Sequence, residues 1–246
     1  MKKLLITIPT YNESLVIEKN IRDAYSAFTL LFSNYDWSVV VADNGSTDTT
    51  SIQVQDLCKE FTRLRVETIQ KKGRGNALRQ LWETDDSDIF AYMDVDLATH
   101  LDDFAKIIQV VENSDLVVGS RLLSDASVKR SWFREVLSQG YSRLVQIYLR
   151  VPVKDLQCGC KAIQKTAWQR VAKHTTHPGW FFDTELVAFS CQMGFDVREI
   201  PVRWVEKRNP RRKSTVDILA TVMDNLRHLF HLHRRLKRLS DQNLVK

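Results

Sequence analysis

The chain has 246 residues, of which 43% are apolar, enough for one large or two small domains with a substantial core. No run of about 18 apolar residues occurs, so no transmembrane helix is expected, and no signal-peptide cleavage pattern follows Met1-Lys2-Lys3. The net charge of +6 is concentrated in residues 207–238, where ten Lys/Arg stand against two Asp, which argues for a localised anion-binding tail and against a general nucleic-acid coat.

In chain order, Leu4–Ile8 reads as a strand and residues 14–32 as a helix with apolar Leu15, Ile17, Ile21, Ala24, Phe28 and Leu31. Trp37–Ala42 is a second strand, Thr49–Phe61 a helix, Arg65–Ile69 a third strand and Gly75–Trp82 a helix. Ile89–Met93 is the fourth strand, 101–112 a helix and Leu116–Val118 a short strand. Such alternation predicts an α/β fold with a mostly parallel sheet flanked by helices, whose ligands bind at the carboxyl ends of the strands. The second half is less regular: an amphipathic helix over 131–150, a strand over Cys158–Ile163, a short helix over Lys165–Lys173, a helix over Phe182–Met193, a strand over Val197–Val205 and a long amphipathic helix over 215–239. The division expected is a main domain over 1–214 and a basic helical extension over 215–246. The irregularly spaced Cys58, Cys158, Cys160 and Cys191 read as reduced thiols of a cytosolic protein.

The polar clusters fall at the predicted strand ends. Asp94-Val95-Asp96 follows the fourth strand, and residues i and i+2 of an extended chain share a side. Two carboxylates so placed suit a hard divalent cation, which also binds phosphate oxygens, although Asp-x-Asp alone also reads as a solvated turn. Pro9 ends the first strand; Tyr11 is placed to stack near a base and Glu13 to accept hydrogen bonds from a base or ribose. Asp43, at the end of the second strand, suits the ring N–H of uracil or guanine, while Asp48 reads as a helix cap. Lys71-Lys72-Gly73-Arg74-Gly75 brings Lys72, Arg74 and backbone N–H groups to a helix start, which suits phosphate, but it lacks the phosphate-loop signature of an ATPase.

Together these segments resemble the family-2 glycosyltransferases with a GT-A fold, and most nearly the dolichyl- or polyprenyl-phosphate hexosyltransferases. The resemblance covers about residues 3–216 and continues through Gly119-Ser120-Arg121, Asp155-Leu156-Gln157-Cys158-Gly159-Cys160-Lys161, Phe182-Asp183-Thr184-Glu185 and Glu199-Ile200-Pro201-Val202-Arg203-Trp204. Two departures stand out: Ser214-Thr215-Val216 replaces the usual Ser-Lys-Val, leaving Arg212 or Lys213 to supply a cation, and Ala98 offers no metal ligand two residues after Asp96.

The resemblance implies an inverting enzyme that uses Mg2+ or Mn2+, held by Asp94 or Asp96, and moves a hexose from a nucleotide-sugar of the UDP-glucose or GDP-mannose type to a polyprenyl phosphate. Arg121 and Arg130 are then candidates for the acceptor phosphate, with Gln157 and Lys161 either there or in loop scaffolding. Asp155 either orients an arginine or serves as a base, and Asp183 and Glu185 organise the acceptor side. The basic amphipathic helices either lie on the cytoplasmic face of a membrane, pack on the domain or form an oligomer contact. A saccharide or other hydroxyl acceptor, and a non-catalytic nucleotide-binding module, are the alternative readings.

Overall fold

The computed structural model of the protein describes residues 1–129, 132–205 and 218–244. Its main sheet has seven strands in the order β3-β2-β1-β4-β7-β5-β8. These are β1 (Lys3–Thr10), β2 (Asp36–Asp43), β3 (Leu64–Thr68), β4 (Ile89–Met93), β5 (Leu116–Ser120), β7 (Cys160–Gln164) and β8 (Val197–Pro201). Neighbours run parallel except at β7, which pairs antiparallel with both β4 and β5. β4 is buried along its whole length, as its unbroken apolar run requires of a central strand covered on both faces.

Helices α1 (Ile17–Leu31), α2 (Thr50–Glu60) and α4 (Leu101–Val111) cover one face, where Phe28 and Phe104 pack with ring centroids 5.8 Å apart. Helices α3 (Arg74–Thr84), α6 (Lys165–Val171) and α7 (Phe182–Gln192) cover the other, where Trp82 lies edge-on to Trp168 at 5.1 Å and stacks on Phe90 at 5.7 Å. The buried Trp82 indole donates to Thr7 Oγ1 at 3.0 Å, so its one polar atom is satisfied inside the core.

Two sequence expectations are refined. Val197–Val205 is two strands: after Pro201 the chain leaves the main sheet, and β9 (Arg203–Val205) pairs with β6 (Ser127–Lys129). The Arg203 amide is taken by Asp103 Oδ2 at 2.8 Å and its guanidinium forms a bidentate pair with the same carboxylate, which pulls the segment toward α4. The seventh strand begins at Cys160 because Cys158 and Gly159 belong to a loop pressed against Asp94.

Helices α5 (Trp132–Leu149) and α8 (Ile218–Leu244) complete the fold. Part of the apolar stripe of α8 is used within the protein: Leu229, Leu232 and Leu236 are buried, and the helix contacts α7 and α5, while Leu226 and Phe230 stay exposed. The expected boundary at 214/215 lies outside the described residues. No helix among the described residues is long and apolar enough to cross a membrane. All four cysteines are free thiols.

Candidate active site

The carboxyl ends of β1, β2 and β4 lie on one edge of the sheet, because these strands run parallel in near register. Antiparallel β7 starts on that edge, with Cys160 opposite Met93. The predicted strand-end clusters are thereby brought together. The β1 and β2 loops are tied to each other: Asn12 accepts the Thr47 amide at 2.8 Å, and Asn44 donates to Thr10 O at 3.2 Å. Beyond Pro9, Tyr11 is partly exposed, with the Lys72 ammonium 4.3 Å above its ring. Glu13 is buried, and its carbonyl accepts the amides of Val16 and Ile17 that begin α1. Asp43 is buried with Oδ1 holding the Ser46 amide at 3.0 Å and its hydroxyl at 2.6 Å, which fixes the β2–α2 turn. For Asp48 burial works against ionisation, but hydrogen bonds from Thr50 and Ser14 outweigh it and hold the carboxyl at about 2.

The start of α3 differs from the expected phosphate cradle. The Gly73 amide donates to Asn44 Oδ1 at 3.0 Å and the Asn76 amide to Pro178 O at 3.1 Å, so protein oxygens already occupy these donors. Gly73 has φ +137°, and a Cβ there would stand 2.2 Å from Pro178 O; at Gly75 it would stand 2.1 Å from His177 O. Both glycines let the 177–179 loop close over the helix start.

Arg74 is correspondingly buried. Its guanidinium lies 4.7 Å from the ring centroids of both Tyr92 and Trp180, and Nη2 donates to Asp94 Oδ1 at 2.7 Å. Nη1 lies 3.6 Å from Asp183 Oδ2. Burial alone would lower the pKa of Arg74, but Asp94 and Asp183 outweigh it and raise it.

Asp94 sits where β4 ends. Burial first, then repulsion from Asp96 and Asp183, holds its carboxyl above the ordinary carboxylate range despite Arg74. Its second oxygen lies against Gly159, where a Cβ would stand 1.9 Å away. The pair is not on an extended strand, as the spacing suggested, but on a turn: Leu97 N donates to Asp94 O at 3.1 Å, Leu97 has φ +50°, and Asp96 Oδ1 accepts the Ala98 amide at 3.0 Å. Among the described residues no group of three or more His, Cys, Asp or Glu is placed to hold a metal. Two hard carboxylates beside each other suit Mg2+ or Mn2+ when phosphate oxygens complete the shell.

The acceptor-side candidates divide into two buried clusters. In one, Asp155 accepts Arg121 Nε at 2.8 Å, Nη2 at 2.9 Å and the Arg121 amide at 3.0 Å. Burial would raise the Asp155 carboxyl, but Arg121 holds it below the ordinary range. The amides of Lys154 and Asp155 are fixed in turn by Glu199, at 2.9 and 3.0 Å. In the other, Lys161 is fully buried and donates to Asp183 at 2.9 Å, to Tyr92 at 3.0 Å and to Cys158 O at 2.6 Å. The expectation that Lys161 reaches an acceptor phosphate is therefore corrected, since its ammonium is consumed beneath the site. Glu185 accepts the amides of Thr176 and His177, each at 2.7 Å, and pairs with Arg235 of α8. Gln157 is half-buried in the loop between Asp155 and β7, and Arg130 lies outside the described residues.

Residues to which sequence reasoning assigned no role at the site complete the arrangement. Asn44, Glu199 and Arg235 brace the loops, and Trp180 caps Arg74 while remaining 53% exposed. A Trp in a Pro-Gly-Trp turn just before Phe182-Asp183-Thr184-Glu185 was the available signal for the last of these.

Residues 5–171 match the profile described as Glycosyl transferase family 2. Glycosyltransferase AglD of Haloferax volcanii is 31% identical over 230 residues, covering 92% of this chain and 37% of the archaeal protein. The chain thus spans about a third of that relative's length. The dolichyl-phosphate beta-glucosyltransferase of Saccharomyces cerevisiae is 28% identical over 242 residues, covering 90% of this chain and 72% of the yeast protein. Among solved structures, glucosyl-3-phosphoglycerate synthase from Mycobacterium tuberculosis in complex with uridine-diphosphate superposes with a TM-score of 0.67 at 18% identity, covering 94% of this chain and 80% of the other. Mannosyltransferase PcManGT from Pyrobaculum calidifontis, in complex with GDP-Man and Mn2+, gives a TM-score of 0.56 at 20% identity over 85% of this chain and 57% of the other. At these identities the two structures share the fold.

Proposed function

The chain belongs to glycosyl transferase family 2, and from that premise we propose that it is an inverting hexosyltransferase that moves a sugar from a nucleotide-sugar to a polyprenyl phosphate. One observation carries the acceptor class. Each acceptor-side carboxylate expected from the sequence is already engaged: Asp155 by Arg121, Asp183 by Lys161 and Arg74, and Glu185 by two amides and Arg235. An alcohol acceptor needs a base to take its proton, whereas a phosphate monoester arrives ionised near neutral pH. Positioning and electrostatics then suffice.

Tyr11, Asp43 and Lys72 hold the nucleoside end of the donor, and Asp94 and Asp96 are the residues that would hold Mg2+ or Mn2+. A bound cation supplies charge neutralisation for the leaving group. Asp155 engages two of the three guanidinium nitrogens of Arg121 and aims it at the acceptor phosphate. A phosphate oxygen forms the new bond to C1 from the side opposite the diphosphate, and the electron pair of the broken C1–O bond leaves on the diphosphate, so configuration inverts. Arg74 acts on this reaction through Asp94 rather than by touching phosphate.

The reading extends to a peripheral position on a membrane. Leu144, Ile147 and Tyr148 of α5 and Leu226 and Phe230 of α8 are exposed. Tyr148 meets His233 at 4.8 Å, so the two helices form one surface, with Arg143, Arg150, Arg227 and Arg234 also exposed. Apolar side chains with a basic surround suit the interface of an anionic bilayer. Free thiols suit a reducing compartment, which supports a reading in which this surface meets the cytoplasmic face. Incubating the protein with Mn2+, UDP-glucose or GDP-mannose and a polyprenyl phosphate tests the proposal: a glycolipid with inverted anomeric configuration supports it, and nucleoside diphosphate release without glycolipid counts against it.

A further inference from the structure

Trp180 is a large aromatic side chain at this site that stands on a braced loop and is open to solvent. Its loop is held on three sides. Glu185 fixes the amides of Thr176 and His177, Pro178 O takes the Asn76 amide, and His177 Nδ1 takes the Gly179 amide at 3.0 Å. The Asp183 amide closes the turn on Trp180 O at 3.3 Å. These bonds fix the backbone of the loop, and the indole it carries is 53% exposed.

One side of the indole is occupied: the Arg74 guanidinium lies 4.7 Å from its centroid. That guanidinium is bonded to Asp94 at 2.7 Å, so a single side chain separates the indole from the carboxylate pair. Trp180 precedes α7, whose Asp183 meets β4 at Tyr92 and β7 at Lys161. It therefore lies on the β4–β7 side of Asp94, whereas Tyr11 and Asp43 lie on the β1–β2 side. A donor whose diphosphate sits at Asp94 and Asp96 and whose base lies toward β2 carries its hexose toward β4 and β7. The geometry points to Trp180 as the platform for that hexose, its open face receiving the apolar C–H face of the pyranose ring while Arg74 braces the opposite face. This assignment rests on the nucleotide-sugar part of the function proposed above and is independent of the acceptor.

The test compares two ligands that differ only by the sugar. Titration calorimetry with Mn2+ measures the affinity of UDP-glucose and of UDP, and in parallel of GDP-mannose and GDP, for the full chain and for Trp180→Ala and Trp180→Phe, with melting temperatures to check folding. The expected result is that Trp180→Ala weakens nucleotide-sugar binding about three- to tenfold while the nucleoside diphosphate binds as before, with Trp180→Phe in between. An equal loss for both ligands of a pair means that the indole serves only to brace Arg74, and it overturns the platform. Unchanged donor binding with a raised KM for polyprenyl phosphate assigns Trp180 to the acceptor and also overturns it. Should Trp180→Ala fail to fold, Trp180→Phe alone decides by the same difference between the two ligands. A wild-type chain that binds neither nucleotide-sugar sinks the donor reading and the platform with it, whereas selective loss in a protein that makes no glycolipid keeps the platform and sinks only the lipid acceptor.

Discussion

Arg74 Nη2 lies 2.7 Å from Asp94 Oδ1, and this bond joins the first turn of α3 to the end of β4. Because the same buried arginine also faces Asp183, its removal leaves Asp94 without its cation and Asp183 with Lys161 alone. Arg74→Ala is expected to cost about 3–5 kcal/mol of stability, the usual result of breaking a buried pair from one side. Denaturant unfolding measures it; a loss below about 1 kcal/mol, the range of a surface pair, contradicts the pairing described.

Gly159 gives a cleaner probe of Asp94, because the change adds only a methyl group. A Cβ would stand 1.9 Å from Asp94 Oδ2, so Gly159→Ala must push the carboxylate off its position. Displacements of about 1 Å cost on the order of 100-fold in rate. Transfer activity and Mn2+-dependent nucleotide binding are both expected to fall. A variant with wild-type metal dependence would show that Asp94 does not hold the cation.

Periodicity and spacing convey the order of elements but not the pairing of charges. The order of strands and helices, and the gathering of polar loops at one edge, were legible because buried strands show as apolar runs ended by polar turns. Which charges remain available was not. Lys161 and Arg74 read as phosphate ligands because sequence shows a cation and not its partner, and their partners Asp183 and Asp94 lie 22 and 20 residues away. The break at Pro201 was missed because Arg203 is drawn off the strand by Asp103, 100 residues earlier in the chain. Trp180 carried no periodic signal at all.

Asp48 sets part of the acid sensitivity. Its carboxyl falls from 3.8 to about 2 on folding. The ionised form is therefore favoured by the fold, and the contribution is fully present above about pH 4 and is lost as the pH falls toward about 2. Asp48→Asn is expected to destabilise the protein by about 1 kcal/mol at pH 7, the solvent-facing carboxylate being partly screened. The difference in melting temperature between variant and wild type should narrow through that window, and a difference that stays constant from pH 6 to pH 2 would rule this out.

Asp155 distinguishes an orienting carboxylate from a base. Arg121 keeps it below the ordinary range, so it is ionised throughout the neutral region and adds no titration there. Asp155→Asn is expected to lower transfer and to raise KM for the acceptor, while the pH profile of the residual activity keeps its wild-type shape. A profile that loses an ascending limb in the variant would restore the base.

A reaction without a general base requires an acceptor that arrives already ionised. The most direct measurement offers the enzyme, with Mn2+ and the nucleotide-sugar it turns over, equal amounts of a polyprenyl phosphate and the corresponding polyprenol. Sugar transferred to the phosphate and none to the alcohol is the predicted result; transfer to the alcohol at a comparable rate would contradict it.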